Sequence, residues 1–181
     1  MKATGIVRRI DELGRVVIPK EIRKTLRLSS GDPLEIFTDR DELLFKKYSP
    51  IKSLDGFAKS FAEGMYEVSG HSAAVCDTDG VIAVAGSGKE LSGRRISTEL
   101  ERIMRERRVL LINVSEGGTA VAITAEQERA AAAQVIAPIV VGGDCIGACV
   151  MFSFKEDVRM RETDVKLARM GAELLARHFA E

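Results

Sequence analysis

The sequence predicts an α+β protein in two unequal parts, and three observations carry that reading. The first fifty residues alternate apolar and polar side chains around two turn signals, which is the period of strands. A join at Ser49-Pro-Ile-Lys-Ser53 separates them from a longer remainder in which helix-period and strand-period stretches alternate. Charge divides along the same line: residues 1–50 hold 11 Lys/Arg and 8 Asp/Glu, against 16 and 19 in residues 51–181. The chain's net zero is therefore +3 beside −3, so that only the first part is expected to touch a polyanion.

The first part has as its centre Gly5-Ile-Val-Arg8-Arg-Ile-Asp-Glu-Leu-Gly14-Arg15-Val-Val-Ile-Pro19. Ile6 and Ile10 alternate with Arg8, and Val16 and Ile18 resume the pattern after Leu13-Gly14. Gly14 tolerates a positive φ, so two short strands are expected to fold back on each other and leave Arg15 just past the turn, close to Arg8. Pro19 then opens a short helix, with Ile22 and Leu26 one turn apart, and Ser29-Ser-Gly-Asp-Pro33 stops it. Leu34–Thr38 and Leu43–Lys47 form a second hairpin around Asp39-Arg-Asp41.

Fifty residues with no cysteine and few large apolar side chains bury too little surface to offset their chain entropy. Two chains sharing one core would solve this. They would also put up to roughly eight Arg/Lys on one surface, and neutralising six phosphates gives a log–log salt slope near about −5.

Beyond the join, Leu54, Ala58, Phe61, Met65 and Val68 recur at steps of four and three, a narrow stripe suited to a helix seam. The predicted division is thus 1–50, a linker helix over 51–70, and a second domain over 71–181. That helix is expected to open the second domain and to pack against its copy. Strands over 72–77 and 81–85 flank the Asp79-Gly80 turn, and Ser97 caps an amphipathic helix with Leu100, Ile103, Met104 and Arg107 one turn apart. A strand over 109–114 follows, then a hairpin of 133–141 and 145–154 around Gly142-Gly-Asp144. A helix capped near Thr163-Asp164 closes the order, with Val165, Ala168, Ala172, Leu175 and Phe179 on one face.

The segment Gly5–Pro19, turn residues included, closely resembles the DNA-binding domain of the AbrB family of bacterial transition-state regulators. The resemblance implies a swapped-hairpin β domain formed by two chains. By matched position it places the DNA-binding role on Arg8, Arg15, Arg23 and Lys24. Lys24 stands where the family's founding member has an arginine, and it offers a point charge in place of a planar fork. With a second domain attached, the resemblance extends to developmental regulators of endospore-forming bacteria, so the implied function is a transcription regulator, activator and repressor, of a sporulation programme. The order of elements in the second part, an antiparallel sheet with flanking helices at either end of the sequence, resembles the GAF fold. That fold serves small-molecule sensing and dimerisation. The Asn-Lys-Phe-Asp-Glu signature of cyclic-nucleotide-binding members is absent, so no ligand is carried over, and sensing and tetramerisation both stay open.

Other chemistry is thin. Cys145 and Cys149, four strand residues apart, are separated by roughly 13 Å, beyond one zinc ion. His71 and His178 stand alone on different elements. Gly86-Ser-Gly-Lys89 and Glu116-Gly-Gly118 lack Walker spacing, and no serine elbow is paired with an orienting histidine. No enzyme, metal or cofactor is expected. With no signal peptide and no apolar run near 18 residues, and with three cysteines that make no disulfide framework, the expected location is the cytoplasm. The expected partners are double-stranded DNA and further copies of the chain, as a dimer that pairs into a tetramer, with an unidentified small molecule as a third. Two other classes stay in view: an antitoxin-like interaction protein, because related swapped-hairpin domains neutralise toxins, and a metabolite-binding module or enzyme acting through the second domain alone.

Overall fold

Proline decides where the first helix begins. In the computed structural model, which describes residues 4–53 and 55–179, Pro19 has φ −58° and leads into α1, Lys20–Leu26. The helix ends at Arg27, whose φ of 51° is left-handed, and Leu28 N–H closes the end on Arg23 O at 2.8 Å. It therefore stops before Ser29-Ser-Gly-Asp-Pro33, two residues earlier than the sequence signal.

The chain divides into two compact units, Met1–Tyr48 and Ser49–Glu181. In the first, β1 (Leu34–Asp39) and β2 (Glu42–Lys47) form an antiparallel hairpin in register Leu34 to Lys47 through Asp39 to Glu42. Arg40 turns it with φ 48°. The expected strands on either side of Gly14 are a correction: residues 4–18 contain the turn but no ladder. Among the described residues a single backbone–backbone bond, Asp11 N–H to Arg15 O at 3.0 Å, spans the two arms, beside the bonds that the Asp11 carboxylate accepts from Arg15. The physical reason is exposure. Val7 is 83% and Val17 71% accessible, so neither arm has a surface to pack on within one chain.

The second unit holds α2 (Pro50–Ser53), α3 (Asp55–Ser69), β3 (Ser72–Asp77), β4 (Val81–Ala85), α4 (Thr98–Glu106), β5 (Leu110–Asn113), β6 (Ala133–Val141), β7 (Asp144–Ser153) and α5 (Glu162–His178). Its five strands pair antiparallel in the order β4-β3-β7-β6-β5. Alternate residues of β3 serve different cores. Ala73 and Val75 join Val135, Met151, Ala58, Ala62, Met65, Ala168 and Leu175 beneath α3 and α5. Ala74 and Cys76 join Ile136, Val150, Phe152, Leu100, Ile103 and Ile123 on the side of α4. Both terminal helices of the unit thus cover one face, and α4 with its neighbouring loops covers the other.

Two sequence details are corrected here, and the cap expected near Thr163-Asp164 is found. The stripe of α3 is Ala58, Ala62 and Met65 with Phe61 beside them, while Val68 is 77% exposed; Leu54 lies outside the described residues. The buried seam runs at steps of four and three from Ala58 and ends at Met65, the last α3 residue packed into that core. Arg107 is not on the apolar face of α4 but at its C-cap, φ 55°. The start of α5 is capped from Asp164, whose Oδ2 accepts the Arg161 N–H at 2.7 Å. Among the described residues no helix is long and apolar enough to cross a membrane.

Candidate nucleic-acid interface

The turn at 11–15 is organised by one carboxylate. Asp11 Oδ1 accepts the backbone N–H of Leu13 at 3.0 Å and of Arg15 at 2.8 Å, and the Asp11 carbonyl accepts the Gly14 N–H at 2.9 Å. Gly14, φ 74°, supplies the left-handed step that a side chain would strain. The second oxygen, Oδ2, accepts from Arg15 Nε at 2.8 Å. The backbone and side-chain donors of Arg15 together hold the Asp11 carboxyl below the ordinary aspartate range.

Arg15 is therefore pinned at Nε while its side chain remains 70% exposed. Arg8 is exposed before the turn, with Nη1 donating to Val7 O at 3.1 Å. Arg23 and Lys24 are adjacent and exposed in the last turn of α1, where cations are favoured by the helix dipole. The first unit thus presents all four sequence-nominated residues to solvent, two around the 11–15 turn and two on the helix that follows. Sequence reasoning gave Asp11 no role beyond being one of the eight acids of residues 1–50. The signal was present as an Asp one residue before the Glu-Leu-Gly-Arg run, an Asx-turn spacing.

The features of the second unit that sequence singled out are accounted for by packing. Ser87 N–H donates to Ser72 Oγ at 2.9 Å, and a Cβ at Gly86 would lie 2.8 Å from the Tyr66 ring, so this glycine loop is closed against α3. Cys76 and Cys149 are fully buried on opposite faces of the sheet, and burial pushes both thiols far up. Cys145 is half-buried and raised by the same cause. His71 Nε2 stands 3.7 Å from Asp164 Oδ1, and His178 stacks on Phe57 with ring centroids 4.6 Å apart, so the two histidines fasten opposite ends of the antiparallel α3–α5 pair.

A basic hairpin–helix unit followed by a five-stranded sheet with helices on both faces defines a class: an AbrB-like domain joined to a GAF-like domain. The comparisons identify the family. Residues 53–180 match the family described as stage V sporulation protein T C-terminal, transcription factor, and residues 7–53 match that described as antidote-toxin recognition MazE, bacterial antitoxin. The chain is 48% identical to stage V sporulation protein T of Bacillus subtilis (strain 168), covering 100% of both chains. It is 58% identical over 50 residues to the transition state regulatory protein AbrB of the same organism, 28% of this chain and 52% of the relative. The second unit resembles the GAF domain of an Acinetobacter phosphoenolpyruvate-protein phosphotransferase, with a TM-score of 0.57 at 11% identity over 75% of this chain and 84% of that one. The chain belongs to the stage V sporulation protein T family of transcription factors.

Proposed function

We propose that this protein is a DNA-binding transcription regulator, activator and repressor, of a bacterial sporulation programme, working in the cytoplasm and not as an enzyme. Its DNA surface is a swapped-hairpin dimer in which the arms at 4–18 of two chains interleave. Arg8, Arg15, Arg23 and Lys24 of both chains face the duplex. The observation that carries the reading is that no described residue of 4–48 is buried, although Ile6, Val7, Ile10, Val16 and Val17 are apolar. A unit so exposed needs a partner surface, and a second copy doubles its cations on one face.

The arginines contact phosphates and some bases, and the flexibility of the duplex supplies much of the selectivity, since α1 is only seven residues long. The second unit pairs dimers into a tetramer, senses an unidentified small molecule, or does both. Exposed Phe57 and Val68 on α3 and Met170 and Leu174 on α5 suit the assembly role. Paired dimers raise the effective concentration of each DNA surface for the other's site. The antitoxin reading draws on the match at 7–53. It accounts for less of the chain, because residues 49–179 form a sheet with two cores rather than a flexible acidic tail.

The test is fluorescence-anisotropy titration of a mixed duplex across a salt series. Six neutralised phosphates give a log–log slope near about −5, and Arg15→Ala flattens it by about one unit per contacting protomer. Flat or absent binding by the wild-type protein would remove the DNA reading.

A further inference from the structure

The 11–15 turn contains a contradiction if its only task is to attract phosphate. Asp11 sets a full negative charge 2.8 Å from a guanidinium whose side chain is 70% exposed. Its backbone duties, accepting from Leu13 N–H and Arg15 N–H, need only one oxygen, and that oxygen is Oδ1. An asparagine would serve there as well, because its amide oxygen accepts the same bonds. Oδ2 is committed to the Arg15 side chain alone among the hydrogen bonds of this carboxylate.

A guanidinium has five N–H donors in a fixed plane. With Nε occupied by Asp11, the Nη1 and Nη2 edge remains, and its direction is fixed relative to the turn. That edge suits a bidentate contact to two acceptors in one plane, as guanine O6 and N7 or two phosphate oxygens present them. The same ion pair cancels much of the long-range attraction that Arg15 would exert on any phosphate. Geometry is kept and indiscriminate charge is removed.

We infer that Asp11 is a positioning residue that makes Arg15 a discriminating contact, raising preference for particular duplexes at the expense of general affinity. The inference rests on the DNA-binding reading above and adds to it a division of labour: Arg8, Arg23 and Lys24 supply attraction, and the Asp11–Arg15 pair supplies selection. It also gives a use to an acid that charge counting alone treats as a defect.

The experiment uses the full chain. The wild-type protein selects duplexes from a random pool, and the tightest recovered duplex and a shuffled duplex of the same composition are then titrated by anisotropy over a salt series. The variants are Asp11→Asn, Arg15→Lys and the double substitution. Asp11→Asn keeps the Asx turn and frees the charge of Arg15. Affinity for the shuffled duplex is expected to rise and its log–log salt slope to steepen by about one unit per contacting protomer. The ratio of selected to shuffled affinity is expected to fall about tenfold, the low end for one bidentate pair. Arg15→Lys keeps the charge but not the planar fork, so adding Asp11→Asn to it should leave that ratio unchanged.

A merely structural role for Asp11 would lower both affinities together and leave the ratio in place, and that result would overturn the inference. So would an Asp11→Asn effect on the ratio that persists in full in the Arg15→Lys background. If circular dichroism shows that Asp11→Asn disrupts the fold, Asp11→Glu, which keeps the charge but displaces it, must lower the ratio without steepening the slope. An unchanged ratio there also counts against the inference. Wild-type protein that enriches nothing and binds neither duplex would defeat the DNA reading itself, and the role of Asp11 with it.

Discussion

The two units of this chain are built on opposite terms. Residues 49–179 bury Phe152, Met151, Ile136 and even Gln134 completely, on both faces of one sheet. Residues 4–48 bury nothing, yet they carry a comparable alternation of apolar side chains. The same physical pattern thus gives a finished core in one place and an unfinished surface in the other. The difference is partnership: in the second unit each strand has neighbours in the same chain, whereas the arms at 4–18 have none. A self-sufficient unit should respond to substitutions whatever the protein concentration, and an incomplete one should not.

The largest expected effect lies in the finished core. Phe152→Ala should destabilise the second unit by about 3–5 kcal/mol, because a fully buried ring leaves a cavity. Chemical denaturation should show this loss to be independent of protein concentration.

A sharper break of the comparison comes from Val17, 71% exposed in one chain. A surface valine that touched nothing would change stability by within about 0.5 kcal/mol on truncation. In a shared core, Val17→Ala should instead cost about 2 kcal/mol per chain. The thermal midpoint of the first unit should then rise with protein concentration, as mass action requires.

The pH dependence also separates the units. All three cysteines lie in the second, and burial raises Cys76, Cys145 and Cys149 above the ordinary thiol value of 9.0. A group whose folded value is raised favours the fold at low pH and loses that contribution as pH climbs past its unfolded value. Stability of the second unit should therefore decline above pH 9.0, and the first should show no thiol-linked decline. At neutral pH, iodoacetamide should modify Cys145 first and reach Cys76 and Cys149 only on unfolding, as intact mass would show. The smallest effect is expected from His178→Ala, which removes one stacked contact with Phe57 and should cost about 0.5–1 kcal/mol in thermal unfolding.

Much of this was legible in sequence, for physical reasons that differ by element. The hairpin at 34–47 announced itself by period two around Asp39-Arg-Asp41, and those at 72–85 and 133–153 by apolar strand runs around Asp79-Gly80 and Gly142-Gly143. Ser97 caps α4 through Leu100 N–H at 3.0 Å, as its position before an apolar-periodic run implied. Arg8, Arg15, Arg23 and Lys24 are exposed as their residue types suggest. What periodicity did not reveal is set by three-dimensional surroundings. Ala62 is buried and Val68 exposed on α3 because burial follows what the helix packs against, here Ala83, Ala85, Ala168 and Ala172 among others, and the helix's own pattern does not record those neighbours. The arms around Gly14 read as strands, but a strand exists only where a neighbour accepts its hydrogen bonds. Asp11 was hidden for another reason: charge counting sees a subtraction where hydrogen-bond geometry shows a carboxylate holding Leu13, Arg15 backbone and Arg15 side chain at once.

The most direct measurement is an isotope-filtered NOE experiment on a mixture of labelled and unlabelled full-length chains, read at the methyl groups of Ile6, Val7, Ile10, Val16 and Val17. A core shared by two chains predicts strong cross-peaks between labelled and unlabelled partners at these methyls. Methyls that show only contacts within one chain and remain open to a soluble paramagnetic probe would contradict it.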